Sequence, residues 1–91
     1  MIEFEWDSRK ASANARKHGV SFQEAATVFG DTMAITYPDP DHSASERRSV
    51  TFGMSRDDRL LVVAHTSRSG KIRIITARLM TKYERKIYEE G

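Results

Sequence analysis

The chain has 91 residues, 15 basic and 13 acidic side chains for a net charge of +2, and no cysteine. One domain, residues 1–91, fills that length, while the missing thiols exclude a disulfide framework and thiolate metal sites. No apolar stretch approaches a membrane span, and a core this small favours shallow surface sites over a deep cofactor pocket.

Ile2, Phe4 and Trp6 alternate with Glu3, Glu5 and Asp7, the period-two pattern of a half-buried strand. Asp7 stands at an N-cap position, and Ser8 to His18 reads as a helix closed by Gly19. Its inward stripe is Ala11, Asn14, Ala15 and His18, small enough to demand close approach to a neighbour. Ser21-Phe22-Gln23-Glu24 has the form of a capping box. The helix it opens carries Phe22, Ala25, Ala26 and Phe29 on one face and stops at Gly30. Thr32 to Tyr37 is rich in strand formers, and Pro38-Asp39-Pro40-Asp41 breaks it into a polar loop through Ser45. Arg48 to Met54 reads as a strand and Ser55 to Asp58 as a turn. Leu60 to Ala64 is apolar on both faces, as in a central strand. Ser67 to Gly70 turns the chain into a strand from Lys71 to Arg78. Thr81-Lys82-Tyr83-Glu84 is a second capping box opening a final helix. The predicted order is β-α-α-β-β-β-β-α, an α+β fold with a mainly antiparallel sheet and its helices on one face.

Charge is segregated along this chain. Between Thr66 and Tyr88, seven basic residues (Arg68, Lys71, Arg73, Arg78, Lys82, Arg85, Lys86) meet one acid, Glu84. That excess suits a phosphate-bearing partner such as RNA. Arg73 and Arg78 differ by five positions and point to opposite faces of a regular strand, unless a bulge or edge position frees Arg78. An arginine there can fork onto two phosphate oxygens and stabilise charge as a phosphodiester breaks. The structural alternative is that these cations solvate an exposed face and pair with Glu84, Glu89 and Glu90. Glu84 has a capping role to fill, and Tyr83 shares a helix face with Ile87, which assigns it to the core. Tyr88, one turn after Glu84, can stack on a base or pack on the sheet. His18 suits the negative end of its helix and also proton transfer. His65 ends the central strand and is placed to reach the same surface as the basic strand. Asp39, Asp41 and His42 match no metal-ligand spacing, so no metal site is expected. Neither a dinucleotide fingerprint, a P-loop nor a nucleophile elbow occurs.

Phe4-Glu5-Trp6-Asp7, Lys17 to Ala25, Asp31, Gly53, Ile72 to Arg78, Glu84-Arg85 and Tyr88 together closely resemble the BrnT family, over nearly the whole chain. The resemblance implies a RelE-like fold and a cytoplasmic ribonuclease toxin of a bacterial type II toxin–antitoxin system that inhibits translation. It implies no metal or cofactor, and attack of the RNA 2′-oxygen on the adjacent phosphate. Its implied partner is a BrnA-like antitoxin whose ribbon-helix-helix part carries the pair to operator DNA. Taken together, the resemblance and the charge pattern assign Arg78, Arg73, His18, His65 and Tyr88 to catalysis and Lys17, Lys71, Lys82, Arg85 and Lys86 to RNA binding. Of these, His65, Lys71, Lys82 and Lys86 rest on position and charge alone. The same cations also fit a non-catalytic module that holds a DNA-binding partner for operon autoregulation.

Overall fold

The computed structural model describes residues 2–39 and 47–91. Most of the predicted polar loop, including Asp41 and His42, lies outside the described residues. The elements are β1 (Phe4–Glu5), α1 (Ser8–His18), α2 (Phe22–Thr27), a 3₁₀ turn (Val28–Gly30), β2 (Ile35–Pro38), β3 (Arg48–Met54), β4 (Leu60–Arg68), β5 (Lys71–Leu79) and α3 (Lys82–Glu90). They form one mixed sheet in the order β1-β5-β4-β3-β2. The short β1 runs parallel to its neighbour, and the other pairings are antiparallel. Among the described residues no helix is long and apolar enough to cross a membrane.

Local chemistry explains the helices. Asp7 caps α1 by accepting from Arg9 and Lys10 N–H, and Gly19 closes it at φ 68°, donating to the Ala15 carbonyl. At α2 only half of the expected capping box forms. Ser21 Oγ accepts from Glu24 N–H, but the Glu24 carboxylate turns inward. There it takes hydrogen bonds from Ser55 and the Arg59 guanidinium, which also reaches the Gly19 carbonyl. This ion pair ties the start of α2 to the β3–β4 turn. At α3 the box is complete: Thr81 Oγ1 accepts from Glu84 N–H while Glu84 accepts from Thr81 N–H.

Two clusters fill the two sides of the sheet. On one, α1, α2 and the 3₁₀ turn pack Val20, Phe22, Ala25 and Val28 against Leu61, Val63, Ile74 and Ala77. On the other, Ile87 and Tyr88 of α3 pack against Phe52, Val62 and Met80. Because Val62 and Val63 are successive residues of β4, the clusters lie on opposite faces. The expectation of helices on one face is therefore corrected. The side on which a final helix docks is set by the apolar sheet residues it can still cover, here Phe52, Val62 and Met80. Within α3 the inward stripe is Glu84, Ile87 and Tyr88. Tyr83, assigned to the core from its spacing to Ile87, is instead 72% exposed.

The 3₁₀ turn sits hard against β3. A Cβ on Gly53 would lie 2.6 Å from Val28 Cγ1 and 3.2 Å from Ala34 Cβ. A glycine is required there by close approach.

Candidate nucleic-acid interface

One irregularity in β5 decides the geometry. His65 pairs with Ile74 and Ala64 with Thr76, so Ile75 is an extra residue, a β-bulge. The extra residue shifts the alternation by one. Ile74 and Ala77 thus face the same core although they are three positions apart. Arg73, Thr76, Arg78 and Met80 consequently share the α3 side of the sheet. The two arginines that a regular strand would separate are on one face.

The register then lays out the floor between them. Thr76 lies opposite Ala64, Ala64 opposite Val50, and Val50 opposite Tyr37, a row crossing the four antiparallel strands on the α3 side. These side chains are small near β5, so the row is a shallow trough with Arg73 on one side and Arg78 and α3 on the other. At its far end, roughly 14 Å away given a strand spacing of about 4.8 Å, Tyr37 is 40% exposed and meets Phe52 edge-on. Sequence reasoning misses Tyr37, whose signal is an aromatic residue in a strand with a proline beside it.

Arg78 is held rather than loose. Its Nη1 and Nη2 donate to the two oxygens of Glu84 at 2.7 and 2.8 Å. The guanidinium holds the Glu84 carboxyl down at about 2, against the opposing effect of burial, with the Thr81 backbone bond adding to it. Arg73 donates to Glu5 at 3.1 Å, and Lys71 lies 4.0 Å from Glu3. Acids of the first strand region and α3 thus orient the cations of β5.

The other predicted residues separate. His65 does not reach this surface: it faces the α1–α2 core, is 8% exposed, and stacks edge-on against Phe29. Its Nε2 lies 2.7 Å from Thr51 Oγ1, and burial pushes its pKa below 6.5. Two positions after Val63 and opposite Ile74, it shares their side of the sheet, and it does not end the strand as expected, because β4 pairs on to Arg68. The Tyr88 hydroxyl donates to Asp31 Oδ2 at 2.7 Å, which pushes its pKa up to about 12. Asp31 also accepts from Met54 and Met33 N–H. Burial pushes the Asp31 carboxyl up, but the Tyr88 bond and these two amides outweigh it and lower its pKa. Asp31 and Tyr88 thus form a strut tying α3 to the 3₁₀ turn. Lys82, Arg85 and Lys86 line a depression with Glu89 on the outer side of α3, away from the trough.

Lys17 and His18 lie at the other margin of β5. With Lys10, Ala13, Asn14, Ile75 and Thr76 they line a cleft of about 270 Å³ between α1 and the strand. Asn14, part of the inward stripe of α1, is 7% exposed and pairs with the strand itself. Its amide nitrogen donates to the Ala77 and Val20 carbonyls, and its oxygen accepts from Ala77 N–H at 3.1 Å. A side chain here occupies the edge that β1 leaves open.

Comparison with known proteins adds two findings. A family model described as "Ribonuclease toxin, BrnT, of type II toxin-antitoxin system" matches residues 6–84. The crystal structure of the Brucella abortus ribonuclease toxin BrnT is similar in fold, with a TM-score of 0.70 and 19% sequence identity over 90% of this chain and 100% of that one. No curated protein gives a significant match.

Proposed function

Because the chain belongs to the BrnT family of ribonuclease toxins of type II toxin–antitoxin systems, we propose that it is a RelE-like endoribonuclease whose trough between Arg73 and Arg78 holds the RNA backbone. The observation carrying this reading is the bulge at Ile75, which sets both arginines on one face above the low Ala64–Thr76 floor. In the proposed reaction the RNA 2′-oxygen attacks the adjacent phosphorus and the bond to the 5′-oxygen breaks. The 2′-hydroxyl proton goes to a base and the leaving 5′-oxygen receives one, giving a cyclic phosphate and a 5′-hydroxyl. Arg78, oriented by Glu84, stabilises the charge gathering on the phosphate, and Arg73 binds the neighbouring phosphate. Protein cations and the substrate's own nucleophile are sufficient, so cleavage is expected to persist in chelator. His18, at the rim of the cleft across the edge of β5 from the trough, is the imidazole left for the proton-transfer role among the described residues. His65 and Tyr88 are assigned to the scaffold.

Family membership brings an antitoxin partner as well as an RNA target. The partner proposed is a BrnA-like protein with a ribbon-helix-helix part that reaches operator DNA. Translation stops as a result of RNA cleavage in the cytoplasm. The internal pairing of Arg78, Arg73 and Lys71 with carboxylates favours one competitor, a non-catalytic module acting only in operon control. Induced expression separates them. The nuclease reading expects growth arrest and cleaved RNA, with Arg78→Ala lowering cleavage at least about 100-fold at unchanged circular dichroism. A folded wild-type protein that neither arrests growth nor cleaves RNA would establish the module instead.

A further inference from the structure

We infer that the RNA strand leaves the trough over the edge of β5 and that the α1–β5 cleft is a subsite for a nucleotide flanking the cleaved bond. This inference rests on the ribonuclease reading. Three observations carry it. First, the edge is open between two covered points. β1 covers β5 only at Ile72 and Arg73, and the Asn14 side chain covers it again at Ala77. The bulge residue Ile75 and Thr76 occupy the gap between. Second, Thr76 belongs to both sites, ending the row that starts at Tyr37 and lining the cleft. Trough and cleft are therefore one continuous path running across the strands.

Third, the cleft has the chemistry of a nucleotide site. Lys10, Ala13 and Lys17 recur along α1 at helical spacing, which puts two ammonium groups on one side of the opening. Ala13 and Ile75 supply an apolar floor on which a base can lie, and His18 and Thr76 supply polar groups at the rim. No carboxylate among the described residues lines it. Lys10 and Lys17 have no ion-pair partner among the described residues, unlike the cations of β5. A polyanionic strand arriving from between Arg73 and Arg78 meets two exposed ammonium groups there that no ion pair among the described residues ties up, the Lys10 charge being partly offset by Asp7 at the start of α1. The subsite reads a phosphate through the lysines and a base face through Ala13 and Ile75, so it has little base preference.

The test uses the wild-type protein and the Lys10→Ala/Lys17→Ala variant, with a long and a short 2′-O-methyl oligoribonucleotide as uncleavable probes. Both lysines are exposed, and the melting temperature checks that the fold is kept. The inference expects the long oligonucleotide to lose most of its affinity advantage over the short one in the variant. It also expects the slope of log K against log salt to fall by about 0.7 for each phosphate no longer held. Ala13→Trp, which fills the apolar floor but leaves the lysines in place, should reduce the same advantage while leaving that slope nearly unchanged. An unchanged advantage and slope in the double-lysine variant, beside normal RNA cleavage, overturns the subsite and leaves the nuclease reading standing. Lysine-dependent binding by a protein that cleaves no RNA keeps the subsite and overturns the nuclease. Weakened binding of the antitoxin with unaltered oligonucleotide binding also overturns the inference.

Discussion

Replacing Glu84 by glutamine removes the charge that holds Arg78 while keeping an oxygen able to accept from Thr81 N–H. The gap between 4.5 and about 2 for this carboxyl corresponds to roughly 3 kcal/mol at about 1.4 kcal/mol per tenfold change in proton affinity. The Arg78 side chain is 40% exposed, so solvent screening reduces the realised stabilisation to about 1–2 kcal/mol. For a domain of this size, Glu84→Gln should lower the melting temperature at neutral pH by roughly 5–15 °C. The loss has a defined pH dependence. A carboxyl lowered in the fold contributes its full stabilisation above about 4.5 and loses it as pH falls toward about 2. Thermal denaturation followed by circular dichroism should therefore show wild type and variant converging through that window. RNA affinity should move the other way, because the variant lacks the carboxylate that competes with phosphate for the guanidinium. A gap in melting temperature that stays constant from about pH 7 to about pH 2.5, or weaker oligonucleotide binding by Glu84→Gln, would refute this role for the ion pair.

Gly53→Ala should cost about 1–3 kcal/mol in denaturant unfolding, because its methyl group meets Val28. Adding Val28→Ala should recover part of that loss, and strict additivity would rule the clash out. Tyr88→Phe removes the hydrogen bond to Asp31, so it should cost about 1–2 kcal/mol and retain RNA cleavage. Loss of cleavage by this variant in a stable fold would return Tyr88 to the active site. His65 is held neutral by burial, so the unfolded chain takes up the proton first as pH falls. Wild-type stability should decline below pH 6.5, while a folded His65→Gln variant titrates more weakly there. Parallel curves would contradict the buried assignment.

Elements whose signals are local are legible in the sequence. Arg48–Met54 has the residues of a strand between turn formers, and Thr81 with Glu84 satisfies backbone donors within a single turn, so neither depends on distant partners. What is illegible depends on residues far along the chain. Glu24 looks like a capping residue until Arg59, 35 positions away, offers a charged partner. Tyr83 and Glu84 compete for the inner face of α3, and Arg78 decides in favour of Glu84. Asn14 looks like a polar intrusion into a small-residue stripe, but its task is to satisfy a strand 63 positions away. The candidate site is half legible. Its arginines emerge from charge segregation, whereas their common face depends on a bulge that apolar spacing does not announce. His65 follows Leu61 and Val63 into the core, an alternation hidden because the central strand is apolar on both sides.

The bulge also separates two properties of β5 that a regular strand locks together, its length and its facing. Without Ile75, Ile74 and Ala77 would be two positions apart and Arg73 and Arg78 four, so a plain strand would present the same faces. An insertion at this one place is therefore silent toward both layers of the protein, and what it alters is the bend and twist of the strand beside the cleft. A slip of β5 by one residue, with Ile75 taken into the ladder, is not silent. It would turn Ala77 outward and drive Arg78 toward the α1–α2 core. The length of β5 can thus drift by one residue in evolution while its register cannot. In distant members of the family, arginines four or five positions apart would describe the same surface.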